Sequence, residues 1–296
     1  MGSTLVAGLI AGGIYGLLGL GIVMVYKGSR VLNFAQAEIG TICLYAAWWV
    51  TTVHHLPYWL GALAAIALAT VIGLVFERLV VRPMGSGSRL SVAVATVGLF
   101  TLLFAIENLV FGASPRLLDP PIAGFGIRVF DFFISPTQLL SFVAIIVISL
   151  GLAAFLRFTD FGLGVQAAAQ DATATRLVGI RLSRVSAFTW GVAAAISAIA
   201  ALLIEPSISV IAPGLIGEPL FIGGMAAALV GGLTSLPGAF VGGITVGVLE
   251  AFAADIFHRS PLKGAGQVAI FAIILAVLLL RPQGLLGKKV SEVAHG

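Results

Sequence analysis

The sequence predicts an all-α fold, a polytopic membrane helix bundle of about nine spans (8–10) forming one domain over residues 1–296. Three observations carry this. Hydrophobic residues are 59% of the chain and charged ones 9%, against ~25% charge in a soluble domain, so there is too little polar surface to cover a globule in water. Mean hydropathy is +1.13. The apolar residues also fall into runs of about 20, the length that crosses a hydrocarbon core, broken by Pro, Gly and charge. A receptor with one anchor and an ordinary soluble enzyme are both excluded.

Element by element, spans are expected near residues 4–26, 36–53, 58–80, 90–111, 136–156, 185–204, 219–234, 238–254 and 264–280. The first has no Lys or Arg ahead of it and outruns a signal-peptide core, so it reads as a retained helix. Val6 stands where a myristoylation signal needs Ser or Thr. The pair at 219–254 is split only by Ser235, Leu236, Pro237 and Gly238. It reads either as two short tilted crossings or as a broken pair dipping in beside a cavity.

Nine spans with the N-terminus outside place Lys27, Arg30, Arg78, Arg82, Arg89, Arg157, Arg176, Arg181, Arg184, Arg281, Lys288 and Lys289 on one side. Arg116, Arg128, Arg259 and Lys263 fall on the other. By the positive-inside rule the first side is cytoplasmic and includes the C-terminus, leaving Asp119, Asp131, Glu205, Glu218 and Asp255 in external loops. Short basic clusters so explained give no reason to invoke nucleic acid. Two loops are long. The external one, 112–135, combines Pro115, Pro120 and Pro121 with Gly124, Gly126 and the run Phe130, Phe132, Phe133, and predicts a partly structured cap. In the internal one, 157–184, the Ala-rich stretch VQAAAQDATATRLV followed by Gly179 predicts a short helix at the cytoplasmic face.

Glycine is frequent, 37 residues, and much of it recurs every fourth position: Gly8, Gly12 and Gly16; Gly238 and Gly242; Gly243 and Gly247. Such spacing lets helix backbones approach closely, whether for packing alone or along a pathway. Charge avoids the span centres. Glu107 and Glu250 lie about four residues from outer ends, and Glu77, Arg78 and Arg82 lie at an inner end where they can snorkel or pair. Glu107 with Asn108 reads as interfacial structure or as the wall of an external vestibule. Ion-coupled transport normally keeps a charge at mid-membrane, so this distribution argues against it. The chain also lacks its own energy source, because Gly284–Leu285–Leu286–Gly287–Lys288–Lys289 has neither the spacing nor the Ser or Thr of a phosphate loop. His54 and His55 adjoin in a loop, His258 and His295 are isolated, and one cysteine, Cys43, forms no intrachain disulfide. No catalytic or metal site is expected.

The most informative stretch is Tyr26–Trp48, YKGSRVLNFAQAEIGTICLYAAW, where Lys27 and Arg30 are interface anchors. Asn33, Gln36 and Glu38 must face protein, water or headgroups, in an ordinary interfacial turn or in one near a pathway or partner.

These residues resemble a known family. Gly12, Tyr15, Gly16, Leu20 and Gly21, followed by Tyr26, Arg30, Val31, Asn33, Phe34, Ala35 and Glu38, are similar to the signature of LivH-type permeases of ABC importers for branched-chain amino acids (the LivH/LivM family). Gly164–Arg181, with Ala167, Ala168, Gln170, Asp171, Ala174, Leu177, Gly179, Ile180 and Arg181, resembles the loop that docks on the family's ATPase. Gly231, Gly232, Leu233, Ser235, Leu236, Gly238, Ala239, Gly242 and Gly243 resemble its glycine-rich late segment, and Arg281, Pro282, Gly284, Leu285 and Gly287 its C-terminal end. In one departure, Gln36 and Ala37 stand where members commonly have His and Gly.

The resemblance implies a type II ABC importer-like permease in a bacterial inner membrane. It also implies a second related permease subunit, a heterodimer being favoured, two cytoplasmic ATPase subunits that hold ATP and Mg, and an external substrate-binding protein. This chain itself would bind no cofactor. The implied pathway is weakly selective, with Tyr15, Asn33, Phe34, Gln36, Glu38, Glu107 and Asn108 as candidate wall residues. Urea, short amides and small carboxylates are alternative cargoes in the broader family. An ATP-independent facilitator is the reading from another class, although it has no need of the long internal loop.

Overall fold

The structure, a computed structural model, describes residues 2–85, 89–118, 121–122, 126–129, 132–208, 210–257, 265–281 and 283–287. Among the described residues there are twelve helices: α1 (Gly2–Ser29), α2 (Gln36–Trp48), α3 (Tyr58–Phe76), α4 (Arg82–Met84), α5 (Arg89–Ile106), α6 (Pro136–Phe158), α7 (Asp160–Gln170), α8 (Ala172–Leu177), α9 (Leu182–Ile208), α10 (Gly217–Gly231), α11 (Leu236–Phe257) and α12 (Ala265–Leu280). π-Helical turns extend three of them, Trp49–Val53 after α2, Glu77–Val81 after α3 and Glu107–Phe111 after α5.

A helix lies under each of the nine expected runs. Six are long and apolar enough to cross a membrane, namely Gly2–Ser29, Tyr58–Met84, Arg89–Phe111, Pro136–Phe158, Leu182–Ile208 and Leu236–Phe257, whereas α10 and the apolar part of α12 are shorter. Local chemistry sets several ends. Ser135 and Gln138 form a reciprocal capping box ahead of Pro136 at the start of α6. Thr159 accepts from the Gly162 amide to open α7.

α1 is the axis of the bundle. It packs most extensively on α11, then on α9 and α10, and is buried over almost its whole length. The α1–α11 seam runs through glycines. A Cβ added at Gly12 would stand 2.8 Å from the Gly243 carbonyl and the Ile244 Cα, and one at Gly8 2.9 Å from the Val248 Cα. Gly16 rests on Phe240, Gly247 on Gly12 and Gly8, and Gly238 and Gly242 on Gly231 of α10. In lipid, where apolar burial between helices gains little, such close approach supplies the dispersion contacts that hold helices together.

Contacts between helix ends define two rims. Arg30 meets Ala169, Arg82 meets Ser183, and the Leu285 amide meets the Val230 carbonyl at one rim. At the other, Thr4 donates to Asp255, and Arg116 and Ile211 pair through their backbones. Lys27, Arg78, Arg82, Arg157, Arg176, Arg181, Arg184 and Arg281 all lie at or next to element ends on the first rim.

Several expectations are corrected. The fold is all-helical with one small addition, Ile127–Val129 and Phe132–Ile134, which pair as short antiparallel strands within the 112–135 loop. The internal loop holds two helices, broken where Asp171 takes an extended conformation and caps α8. Glu205 lies inside α9 and is buried, Glu218 opens α10, and Asp255 is in the last turn of α11, so none of the three is in a loop. Asp119, Pro120, Gly124, Phe130, Asp131, His258, Arg259, Lys263, Pro282, Lys288, Lys289 and His295 lie outside the described residues.

Candidate functional site

The Arg30–Glu38 turn runs back into the bundle. Arg30 ends α1 with φ +58, a left-handed backbone that an arginine adopts only under outside constraint, and its guanidinium donates to the Ala169 carbonyl on α7. From there the chain climbs beside α1. Asn33 folds it over, accepting from the Ala35 amide at 3.0 Å while donating to Gln36 Oε1 at 3.0 Å. The Phe34 amide donates to Thr96 Oγ1 at 3.1 Å, and Gln36 Nε2 donates to the Ala193 carbonyl at 2.7 Å. The Ser197 hydroxyl returns a bond to the Gln36 carbonyl.

These bonds fix how deep α2 begins. Ala193 is eleven residues into α9, which at 1.5 Å per residue puts Gln36 about 16 Å from that rim. Non-helical backbone at this depth is tolerated because it is enclosed by protein and every bond above is internal. α2 is therefore a short helix starting near the middle of the bundle.

A second short helix begins beside it. The first residue of α10, Gly217, is so close to Glu38 that an added Cβ would overlap Glu38 Oε2, and it would stand 3.3 Å from Thr41 Oγ1. Glu38 thus faces the amide end of α10, where the helix dipole favours negative charge. Thr41 donates to Glu107 Oε1 at 3.2 Å, which joins α2 to the π-helical turn after α5. Glu38 and Glu107 are each 1% exposed, and Glu38 Oε1 has no hydrogen-bond partner. Phe34 meets Phe221 of α10 with ring centroids 5.9 Å apart.

The structure brings Asn33, Phe34, Gln36, Glu38 and Glu107 into one buried cluster. Tyr15 lies farther along α10, packed on Gly223. Asn108 is not part of the cluster, since its exposed side chain bonds back to the Phe104 carbonyl at 2.8 Å. The expectation that charge avoids the span centres is overturned at Glu38: docking on α9 carries it deep into the bundle, a depth hidden in sequence because the turn's partners lie 157 to 161 residues away. Glu77 is buried too and pairs with Arg82 at 2.8 Å.

At the first rim, α7 and α8 form an exposed step. Asp171 caps α8 by accepting from Thr173 and Ala174 at 2.7 and 3.0 Å, and Gly179 turns the chain away at φ +85. Ala168 is buried and Ile180 half-buried, whereas Gln170, Asp171, Ala174 and Arg181 are exposed. Leu177 and Val178 stand out 84% and 74% exposed. Beneath them a cavity of about 350 Å³ is lined by Phe161, Gly164, Gly179, Ile180 and Arg184.

A bundle with buried re-entrant backbone at mid-depth, two short helices converging on it and an apolar step at one rim defines a multi-pass membrane transport subunit. Residues 4–280 match the family model described as the permease component of branched-chain amino acid transport systems, and the chain belongs to that family. It is 33% identical to the high-affinity branched-chain amino acid transport system permease protein BraD of Pseudomonas aeruginosa, over 97% of this chain and 96% of that one. It is 30% identical to LivH of Escherichia coli K12, over 96% and 95%, and 25% identical to a probable LivH of Methanocaldococcus jannaschii, over 92% and 88%. Among solved structures, PsaBC from Streptococcus pneumoniae in complex with Fab matches with TM-score 0.52 at 13% identity, covering 95% of this chain and 92% of that one, a likeness of fold.

Proposed function

We propose that this chain is a permease subunit of an ABC importer for branched-chain amino acids, lying in a bacterial inner membrane with nine crossings, its N-terminus outside and its C-terminus cytoplasmic. The carrying observation is similarity over nearly the whole chain to proteins so named, with about a third of positions identical to one of them. The basic rim fits the cytoplasmic side by the positive-inside rule. Energy comes from two ATPase subunits that hold ATP and Mg. They dock on the α7–α8 step, where Leu177 and Val178 offer the apolar contact and Ala168, Gln170, Asp171, Ala174, Gly179, Ile180 and Arg181 shape its surroundings. Arg30 links that step to the turn at the start of α2. A related permease completes the pathway, and an external binding protein delivers the cargo. Gln36 is fully buried against α9, so its identity bears on how α2 is seated more than on the choice of cargo.

The test is reconstitution of the purified complex in liposomes with its binding protein and internal ATP. Uptake of labelled leucine that requires ATP and is not displaced by excess urea, acetamide or propionate supports the assignment. Leucine passage without ATP, or displacement by those competitors, overturns it.

A further inference from the structure

A cavity of about 600 Å³ opens sideways between α2, α3 and α5, near the rim where Arg116 and Ile211 pair. Tyr45, Trp48, Trp49, Leu68, Val110 and Arg116 are among its walls. Arg116 is held in place by two 2.8 Å backbone bonds with Ile211, a bond from Nη2 to the Phe111 carbonyl at 3.2 Å, and stacking of its guanidinium over Trp48 at 4.8 Å. Its Nε is nevertheless buried with no partner, and among the described residues no carboxylate lies in ion-pair range. Tyr45, 1% exposed and stacked on Phe111 at 4.2 Å, lines the same cavity with an unpartnered hydroxyl. Two polar groups without hydrogen-bond partners thus line one largely apolar cavity.

We infer that the cavity is a binding site for a membrane phospholipid, whose phosphate diester accepts from Arg116 and Tyr45 while an acyl chain lies along Leu68 and Val110. The opening selects this occupant. Leu68, Val110 and Trp49 are 40%, 67% and 51% exposed around it, and the wall continues into exposed Leu63 and Val71 of α3 and Leu102 of α5, on helices apolar enough to cross a membrane. Arg116 lies at the rim level, at headgroup depth, and aromatic rings beside it suit that interface. The volume holds a glycerophosphate and the first methylenes, with the rest of the chains in the bilayer.

The test uses the detergent-extracted protein with whatever subunits accompany it, and native mass spectrometry after exchange into lipid-free micelles containing added palmitoyl-oleoyl phosphatidylglycerol. One retained phospholipid per copy of this chain is expected. Arg116→Gln should weaken retention about tenfold, the loss of one charge-assisted hydrogen bond. Arg116→Lys should keep part of the binding. Leu68→Trp leaves both polar groups in place, fills the cavity from the bilayer side and should expel the lipid while the protein stays folded. Palmitoyl-oleoyl glycerol, which lacks phosphate, should not bind, and millimolar inorganic phosphate should not displace the lipid. Equal retention by the Arg116→Gln and Leu68→Trp variants, binding of the diacylglycerol to the same extent, displacement by inorganic phosphate, or crosslinks from Trp49 to a second permease subunit in place of lipid would each overturn the assignment.

Discussion

The sharpest test of the buried cluster is a double-mutant cycle between Gly217 and Glu38. Gly217→Ala puts a methyl where Glu38 Oε2 stands, so the carboxylate must leave the amide end of α10 or the two short helices must separate. Overpacking of this kind costs about 1–3 kcal/mol. Lifting the carboxylate out of the helix dipole adds about 1 kcal/mol. The sum, about 2–4 kcal/mol, corresponds to a midpoint drop of roughly 5–15 °C if the chain follows domains of 150–250 residues. Glu38→Ala alone forfeits the dipole contact, about 1 kcal/mol. In that background the next atom against the new Cβ is Thr41 Oγ1 at 3.3 Å, so Gly217→Ala should add little. The double mutant should be more stable than the two single effects predict, by about 2–4 kcal/mol, because its own loss is only the dipole contact, about 1 kcal/mol, while the single effects sum to about 3–5 kcal/mol. The assay is the fraction of purified protein that stays monodisperse after heating. If Gly217→Ala costs as much without Glu38 as with it, the two side chains do not meet and the deep placement of the turn is wrong.

Three further outcomes follow from the same geometry. Asp171→Ala removes both N-cap hydrogen bonds of α8 and should cost that helix about 1 kcal/mol, lowering transport-linked ATP hydrolysis while assembly persists; Asp171→Asn, which still accepts at an N-cap, should restore most of it. Arg30→Gln cuts the contact between α1 and α7 and should leave extracted protein folded but reduce uptake per ATP hydrolysed, and unchanged coupling would remove Arg30 from the transmission route. Gly12→Leu forces a side chain into the Gly243 carbonyl, so membranes should hold severalfold less folded protein, whereas Gly98→Leu, at a position with nothing within 4 Å, should behave as wild type.

The helices were legible because each run announces itself locally. Hydropathy places α1, α3, α5, α6, α9 and α11 without knowledge of their neighbours, and Ala-rich sequence with Gly179 marks the α7–α8 segment. What escaped is instructive in Asp171. It reads as one polar residue within a helix, yet an Asp side chain that reaches its own downstream amides favours a break and a new cap. The strand pair Ile127–Val129 and Phe132–Ile134 is too short to show a strand period, and Phe132 and Phe133 read equally as part of an apolar cap. Glu205 looked like a loop residue because Pro206 follows it, but the helix runs on to Ile208. Asn108 was grouped with Glu107 by adjacency, although neighbours on a helix point about 100° apart.

By itself the sequence determined that this chain lives in a membrane, where its helices lie, which ends carry positive charge and which glycines can form seams. Those properties are sums over neighbouring residues, and the solvent reads them one segment at a time. Only the tertiary structure decided that the Arg30–Glu38 turn climbs to the middle of α9, that α2 and α10 begin together there, and that Glu38 is deep rather than interfacial. The reason is that a polar residue in a membrane protein is positioned by the partner that satisfies it. For Gln36 that partner is the Ala193 carbonyl, 157 residues away, and no local pattern encodes it.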